Sequence, residues 1–172
     1  ESTASNPSSV LLLDLDATAG DEIAVACAGE SVTEGQIDFF TTSTTFHSGI
    51  TPLGSLDTPG NPDDIASGLE GKDDEDDWFT ITLPGSKKVA KGSGSSSSTL
   101  TWSFELESIT DLGVSPTELS VGDLNGDGIE DVVTTCPQSD VVAVLTGNPD
   151  GTLSSALLIN VGNLPRSIAL LD

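Results

Sequence analysis

The sequence predicts an all-β protein built from four-stranded repeats. A proline-led motif recurs along the chain with a period of about fifty residues, and internal repetition of this kind is typical of repeat architectures. The segments between the prolines contain short apolar runs rich in β-branched residues, as expected of strands. No ten-residue window has a clear 3.6-residue apolar period, so no helix is predicted.

Each repeat begins with a proline, followed three positions later by an apolar residue. The prolines are Pro7, Pro62, Pro116 and Pro165, and the apolar residues are Val10, Ile65, Leu119 and Ile168. We therefore treat residues 1–172 as a single repeat array with repeat 1 at 7–58, repeat 2 at 62–112, repeat 3 at 116–161 and a partial repeat 4 at 165–172. Seven residues after the proline, the other repeats have an acid: Asp14, Asp123 and Asp172. Repeat 2 has Leu69 at this position and is therefore degenerate. When the repeats are aligned on their prolines without gaps, Cys27, Thr82 and Cys136 are equivalent.

Four strands are expected in each repeat. A short first strand precedes an acidic loop, as in 167–171 of the partial repeat. Second strands are predicted at 22–27, 77–83 and 131–136, third strands at 36–41, 99–106 and 140–145, and a fourth at 156–159. The lysine- and serine-rich stretch 84–98 predicts a long polar hairpin loop, and 148–151 a tight turn. Four strands and a period of about fifty are the dimensions of a β-propeller blade.

The loop 123–131 has the residue types of a calcium site. Oxygen-bearing side chains stand at loop positions 1, 3, 5 and 9, which are Asp123, Asn125, Asp127 and Asp131. Gly128 at position 6 allows a sharp turn around a cation, as in the EF-hand loop. Position 12 is Thr134 instead of a bidentate glutamate, and the residues around it resemble a strand. The prediction is therefore a loop between two strands that binds Ca²⁺, and not an EF-hand.

The charge balance limits the choice of partners. The chain has 28 acidic and 5 basic residues, a net charge of −23, which argues against nucleic acid and anionic membranes. No apolar run approaches the roughly 18 residues that a spanning helix needs, so membrane insertion is not expected. Many carboxylates suit an extracellular setting, where calcium is abundant. The start at Glu1 and the lack of Met lead us to expect a processed, secreted product.

Few residues suggest catalysis. His47 is the only histidine, so a His-rich zinc site cannot form, and aromatic residues make up 4% of the chain. Trp78 and Trp102 fall in predicted strands and are expected in the core or between blades. Cys27 and Cys136 could form a disulfide in an oxidising compartment or could be two buried thiols. The sequence does not decide between these alternatives, since spacing does not fix connectivity. O-glycosylation is equally open.

The pattern of repeat 3, from Pro116 through the DLNGDG loop to the Asn148–Thr152 hairpin, resembles the FG-GAP/VCBS repeat family. The resemblance implies calcium-binding propeller blades like those of integrin α-subunits, with the carbonyl oxygen of Ile129 as a further ligand. In repeat 1 it implies an altered set of candidate ligands, namely Asp14, Asp16, Thr18 and Glu22. In repeat 2 two of the four ligand positions are lost, so no ordered ion is expected there.

These observations favour a non-catalytic, secreted, calcium-stabilised β-propeller repeat module that serves adhesion, matrix contact or self-assembly into an extracellular fibre. The expected partners are other copies of the chain or a cell-surface or matrix protein or glycan. The alternative is a propeller lectin or enzyme that acts on extracellular polysaccharide. The low aromatic content favours the first interpretation.

Overall fold

The computed structural model describes residues 6–13, 22–30, 33–42, 50–67, 78–96 and 102–171. These residues form twelve β-strands and two 3-10 turns and contain no α-helix, so the all-β prediction is confirmed. None of the helical segments in the described residues is long and apolar enough to cross a membrane. Most of the repeat 1 loop, the repeat 2 loop, His47 and Asp172 lie outside the described residues.

The strands form three four-stranded antiparallel sheets, each of consecutive strands. We call the sheets blades 1, 2 and 3. Blade 1 contains β1 (Asn6–Leu13), β2 (Glu22–Ala28), β3 (Gly35–Thr42) and β4 (Ile50–Thr58); blade 2 contains β5 (Ile65–Ser67), β6 (Trp78–Leu83), β7 (Lys88–Ser96) and β8 (Trp102–Asp111); blade 3 contains β9 (Leu119–Gly122), β10 (Asp131–Cys136), β11 (Val141–Leu145) and β12 (Leu157–Asn160). The architecture is that of propeller-type blades, and the three blades do not close a ring.

Blades 1 and 3 share one register. The gapless alignment that matches Pro7 with Pro116 also matches the end of the first strand pair in the two blades, where Leu13 pairs with Glu22 and Gly122 pairs with Asp131. The same alignment places Cys27 on Cys136, so the two cysteines occupy equivalent positions, as predicted. Both are free and buried, which makes them part of the blade packing and not a disulfide.

The ungapped alignment is wrong by one residue in blade 2. In blade 3, Leu119 pairs with Thr134, and the ungapped alignment matches these residues with Ile65 and Thr80 of blade 2. In the structure, however, Ile65 pairs with Ile81, one residue further along the chain. Thr82 therefore corresponds to Thr135 and not to Cys136. The first residue of β6 is Trp78, at the position that Asp131 occupies in β10. One extra residue between β5 and β6 accounts for the shift.

The predicted hairpin loop at 84–98 is wrong. The connection after β6 is only the 3-10 turn Pro84–Ser86, and Lys88–Ser96 forms the third strand of the blade, β7. The strand predicted as the third, at 99–106, is therefore the fourth, β8. Glycine and serine disfavour strands in isolation. Here β7 pairs along its length with β6 and β8, and Gly92 is needed because a Cβ there would lie 2.6 Å from the Phe79 ring.

The strand predicted at 167–171 is also wrong. This segment is described, but it is not a strand. Its side chains alternate between partly buried and exposed, and Leu171 is 93% exposed. A strand requires a hydrogen-bonded neighbour, and residues 165–171 pair with none of the described strands.

The blades pack through two apolar clusters. The first lies between blades 1 and 2, where the rings of Phe39 and Phe104 stack at 3.8 Å and Phe79 lies 5.6 Å from Phe39. The second lies between blades 2 and 3 and includes Val89, Val132 and other buried side chains. Each buried Phe or Val side chain contributes about 1.5–3 kcal/mol. The middle blade is thus held on both faces.

Asp64 joins the first strands of all three blades. Its Oδ1 accepts hydrogen bonds from the Ser9 hydroxyl on β1 (2.8 Å) and from the Ile65 N–H on β5 (3.0 Å). Its Oδ2 accepts the N–H of Leu119 on β9 at 2.9 Å. One carboxylate therefore fixes how the three blades meet.

Candidate metal centre

The candidate loop connects β9 to β10. Gly122 and Asp131 form the last strand pair, and the intervening residues 123–130 leave the sheet and return. Gly128 has φ = 84°, in the left-handed region that favours glycine, so the sharp turn predicted at position 6 is confirmed. The strand on each side of the loop is also confirmed, and no helix borders it.

Asp123 lies at the centre of the loop's hydrogen bonds. Its Oδ1 accepts the N–H groups of Gly126 at 2.7 Å and Asp127 at 3.2 Å. Its Oδ2 accepts the N–H of Gly128 at 2.8 Å. The bond from Gly128, followed by those from the other loop N–H groups, lowers the pKa of Asp123, since they favour the charged form. The carboxylate is therefore ionised at neutral pH.

The next two oxygen-bearing side chains repeat this arrangement on a smaller scale. Asn125 Oδ1 accepts the N–H of Asp127 at 2.8 Å, and Asp127 Oδ1 accepts the N–H of Ile129 at 2.8 Å. Each side chain thereby bonds to the backbone two residues further on, which is how Asn and Asp shape turns. Asn125 and Asp127 are exposed.

Asp131 differs from the other acids because it is fully buried. Its Oδ2 accepts the N–H of Leu124 at 3.0 Å, and its Oδ1 accepts the N–H of Gly147 at 2.9 Å. The first bond closes the loop, and the second ties the loop to the hairpin between β11 and β12. Asp131 therefore couples the candidate site to the rest of blade 3.

The carboxylates of the loop do not form a metal-binding group among the described residues. Among the described residues, no group of three Asp, Glu, His or Cys side chains is close enough to hold a metal ion. The donor set of three carboxylates and one amide is all oxygen, the chemistry that hard cations such as Ca²⁺ prefer. The loop thus has a suitable backbone turn and suitable donors, with the carboxylates engaged by the loop's own N–H groups.

Residues 115–155, which contain β9 to β11 and the loop, match the family model described as FG-GAP repeat. Blade 3 is an FG-GAP repeat. The match confirms the FG-GAP part of the resemblance, whereas the VCBS part stays a prediction. FG-GAP repeats occur in integrin-like extracellular adhesion proteins and are generally non-catalytic. No curated protein matches the chain closely enough to count as a relative.

Blade 1 presents only part of its predicted ligand set. Glu22 begins β2 at the register position that Asp131 holds in the FG-GAP repeat, and it is likewise buried. The Thr41 hydroxyl donates a hydrogen bond to Glu22 Oε1 at 3.3 Å. The other three predicted ligands, Asp14, Asp16 and Thr18, lie outside the described residues.

Blade 2 places an aromatic side chain where the FG-GAP repeat has its buried acid. Trp78 begins β6, and the Lys91 ammonium lies 4.6 Å from the centre of its ring. Burial lowers the pKa of Lys91, while the charge of Glu130, in the loop of blade 3, acts in the opposite direction. Lys91 therefore brings a positive charge close to the acidic loop. Sequence reasoning missed this contact because the lysine was placed in a hairpin loop.

Proposed function

We propose that the chain is a non-catalytic, calcium-stabilised module of an extracellular protein that serves adhesion, matrix contact or self-assembly. The observation that carries the proposal is the loop of blade 3, an FG-GAP repeat in which four oxygen-bearing side chains flank a turn at Gly128. Secretion and adhesion are supported by the occurrence of FG-GAP repeats in integrin-like extracellular adhesion proteins.

The ligands in this proposal are Asp123, Asn125, Asp127 and Asp131, with the carbonyl oxygen of Ile129. A carboxylate oxygen that accepts an N–H has a second lone pair, so the hydrogen bonds of Asp123 and Asp131 do not exclude a cation. Three carboxylates in one short loop repel one another, and a divalent ion would cancel that repulsion while gathering the side chains. In blade 1, the set Asp14, Asp16, Thr18 and Glu22 stays a prediction.

The ion's role would be structural. It would fix the connection between β9 and β10, and through Asp131 the hairpin beyond β11. The unfolded chain has no preformed site, so the binding energy adds to the stability of the fold. Both tryptophans support a non-catalytic role, because Trp102 stacks with Phe104 at 6.0 Å and Trp78 lies under Lys91.

The test is thermal unfolding in Ca²⁺ and in EGTA. Ligand at about 100 times its Kd stabilises by about 2.7 kcal/mol, which corresponds to a rise in Tm of roughly 5–10 °C for a chain of this size. Asp127→Ala should lose most of this rise and keep the Tm that the wild type has in EGTA, because Asp127 is exposed. Isothermal titration of the same proteins with CaCl₂ measures the binding directly.

The matched control is Asp150→Ala. Asp150 is also exposed, lies in the same blade and accepts the N–H of Thr152, two residues further on, just as Asp127 accepts that of Ile129. It is outside the ligand set, so this variant should keep the calcium-dependent rise. Equal melting temperatures of the wild type in Ca²⁺ and EGTA, with no heat of binding, would contradict the proposal.

A further inference from the structure

The residue three positions after each repeat proline shows how the first strand of one blade docks on the preceding blade. Ile65 is 4% exposed and packs in the cluster shared with blade 1, and Leu119 is 7% exposed beside Asp64 of blade 2. Ile168 is half-buried. Val10 is the exception, 66% exposed, because none of the described residues covers it.

The same difference holds two residues further along the first strand. Leu12 is 61% exposed, whereas Val121, its equivalent in blade 3, packs against the cluster between blades 2 and 3. Val10 and Leu12 alternate onto one face of blade 1, which also includes Ile23 and Val25 on β2. We call this the leading face. By register, it corresponds to the face through which blade 3 packs on blade 2.

The other face of blade 3 is apolar, buried at Val133 on β10 (5% exposed) and exposed along β12. Val133, Val144 and Leu157 form a row across three paired strands, and Ile159 lies on the same face. Leu157 is 63% and Ile159 is 45% exposed. We call this the trailing face. By register, Val133 corresponds to Ala24, which is fully buried against blade 2, so the trailing face corresponds to a surface that blade 1 buries.

We propose that the leading face of one copy docks on the trailing face of a second copy, repeating between chains the contact that joins neighbouring blades within the chain. The proposal rests on the self-assembly part of the proposed function and names the surfaces that would carry it. The contact joins two different patches, so successive contacts close into a ring or extend as a filament.

Charge favours this orientation over others. Each copy has a net charge of −23, so most relative orientations of two copies are repulsive. The stretch 151–165, which includes β12, has no charged residue, and neither does 10–13 on β1. The two apolar faces are therefore the regions where copies can approach at the lowest electrostatic cost.

Residues 165–171 occupy part of the trailing face within the same chain. Leu170 Cδ1 lies 3.0 Å from the position of a Cβ built on Gly122, and Pro165 to Ile168 repeats the motif that runs from Pro7 to Val10. The segment lies where β1 of a second copy would dock, and it has no strand pairing to hold it. Docking therefore displaces it, and its removal should strengthen association.

The test is sedimentation velocity over a wide concentration range, in Ca²⁺ and in EGTA, on the wild type, a shortened chain and three variants. The wild type, or a chain that ends at Leu164, should gain mass with concentration. Leu12→Lys on the leading face and Leu157→Lys on the trailing face should each remain monomeric, and both sites are exposed enough to tolerate lysine. Ile109→Lys, on the middle blade and 46% exposed, is the matched control and should associate like the wild type.

Mixing the two monomeric variants separates this contact from a symmetric one. Leu12→Lys retains its trailing face and Leu157→Lys its leading face, so the mixture should form a one-to-one dimer and nothing larger. Monomers of the wild type and of the shortened chain at every concentration, or a mixture that stays monomeric, would overturn the proposal. The calcium-dependent rise in Tm, measured on Leu12→Lys, is independent of this outcome because that substitution leaves the loop 123–131 unchanged.

Discussion

At the scale of single residues, Gly128 determines the shape of the loop 123–131 through its backbone angle. Its φ is 84°, and a Cβ at this position would meet nothing within 4 Å. A side chain there is therefore opposed by backbone strain alone and not by a clash. The loop N–H groups that bond to Asp123, including that of Gly128, depend on this turn.

We predict that Gly128→Ala destabilises the protein by about 1–2 kcal/mol, the cost of holding an L-residue in the left-handed region. Urea unfolding in EGTA measures this cost without any contribution from bound calcium. Gly162→Ala is the control, since Gly162 also has open space around it and shows no such backbone angle. If both variants lost the same stability, the backbone argument would be wrong.

At the scale of elements, the first strands of the three blades depend on Asp64. Its carboxylate satisfies the N–H of Leu119, a residue that is 7% exposed, and the hydroxyl of Ser9. A buried N–H that loses its acceptor costs about 1–3 kcal/mol. The adjacent Asp63 has a raised pKa because of burial and then the charges of Asp64 and Glu118, so its charged form is disfavoured in the folded state.

We predict that Asp64→Ala lowers the free energy of unfolding by about 1–3 kcal/mol, because it leaves the Leu119 N–H without its acceptor. Asp63→Asn should cost nothing at pH 7 and gain slightly, because a carboxyl with a raised folded pKa opposes folding once ionised. Chemical denaturation at pH 7 compares the two. A larger loss in Asp63→Asn than in Asp64→Ala would contradict this account of how the blades are joined.

The sequence predicts those elements whose stabilising features are local. The loop 123–131 and strand β10 were predictable because the oxygen-bearing residues, Gly128 and a β-branched run are consecutive in the chain. Strand β7 was not, because its Gly and Ser residues are held by pairing with β6 and β8 and by the Phe79 ring, none of which is visible in the local pattern. Residues 167–171 have a strand-like pattern but no partner among the described strands.

Individual residues likewise divide into those that the local sequence predicts and those that only the fold reveals. Asp123 and Asp127 follow from spacing, whereas Asp64 and Lys91 act through contacts with other blades that only the fold reveals. The one signal for Asp64 was its position two residues after a repeat proline. It is ambiguous, because the equivalent residues are Ser9, Glu118 and Ser167.

At the scale of the whole molecule, an excess of negative charge opposes the packing of three blades in series. With 28 acidic and 5 basic residues, the folded chain brings like charges closer together than the unfolded chain does. Simple salt relieves this repulsion by screening charges throughout the molecule. In the proposed function, calcium would relieve the repulsion only locally, at the loop that binds it.

We predict that the Tm in EGTA rises by several degrees as NaCl increases from low to high concentration, because the Debye length falls from about 30 Å at 0.01 M to about 3 Å at 1 M. Choline chloride of equal ionic strength should have the same effect, since screening does not depend on the identity of the ion. A Tm that stays constant or falls with salt would show that repulsion between blades is unimportant.

Calcium at about 1 mM hardly changes the Debye length. A rise in Tm at that concentration, at constant high NaCl, is therefore due to calcium binding and not to screening.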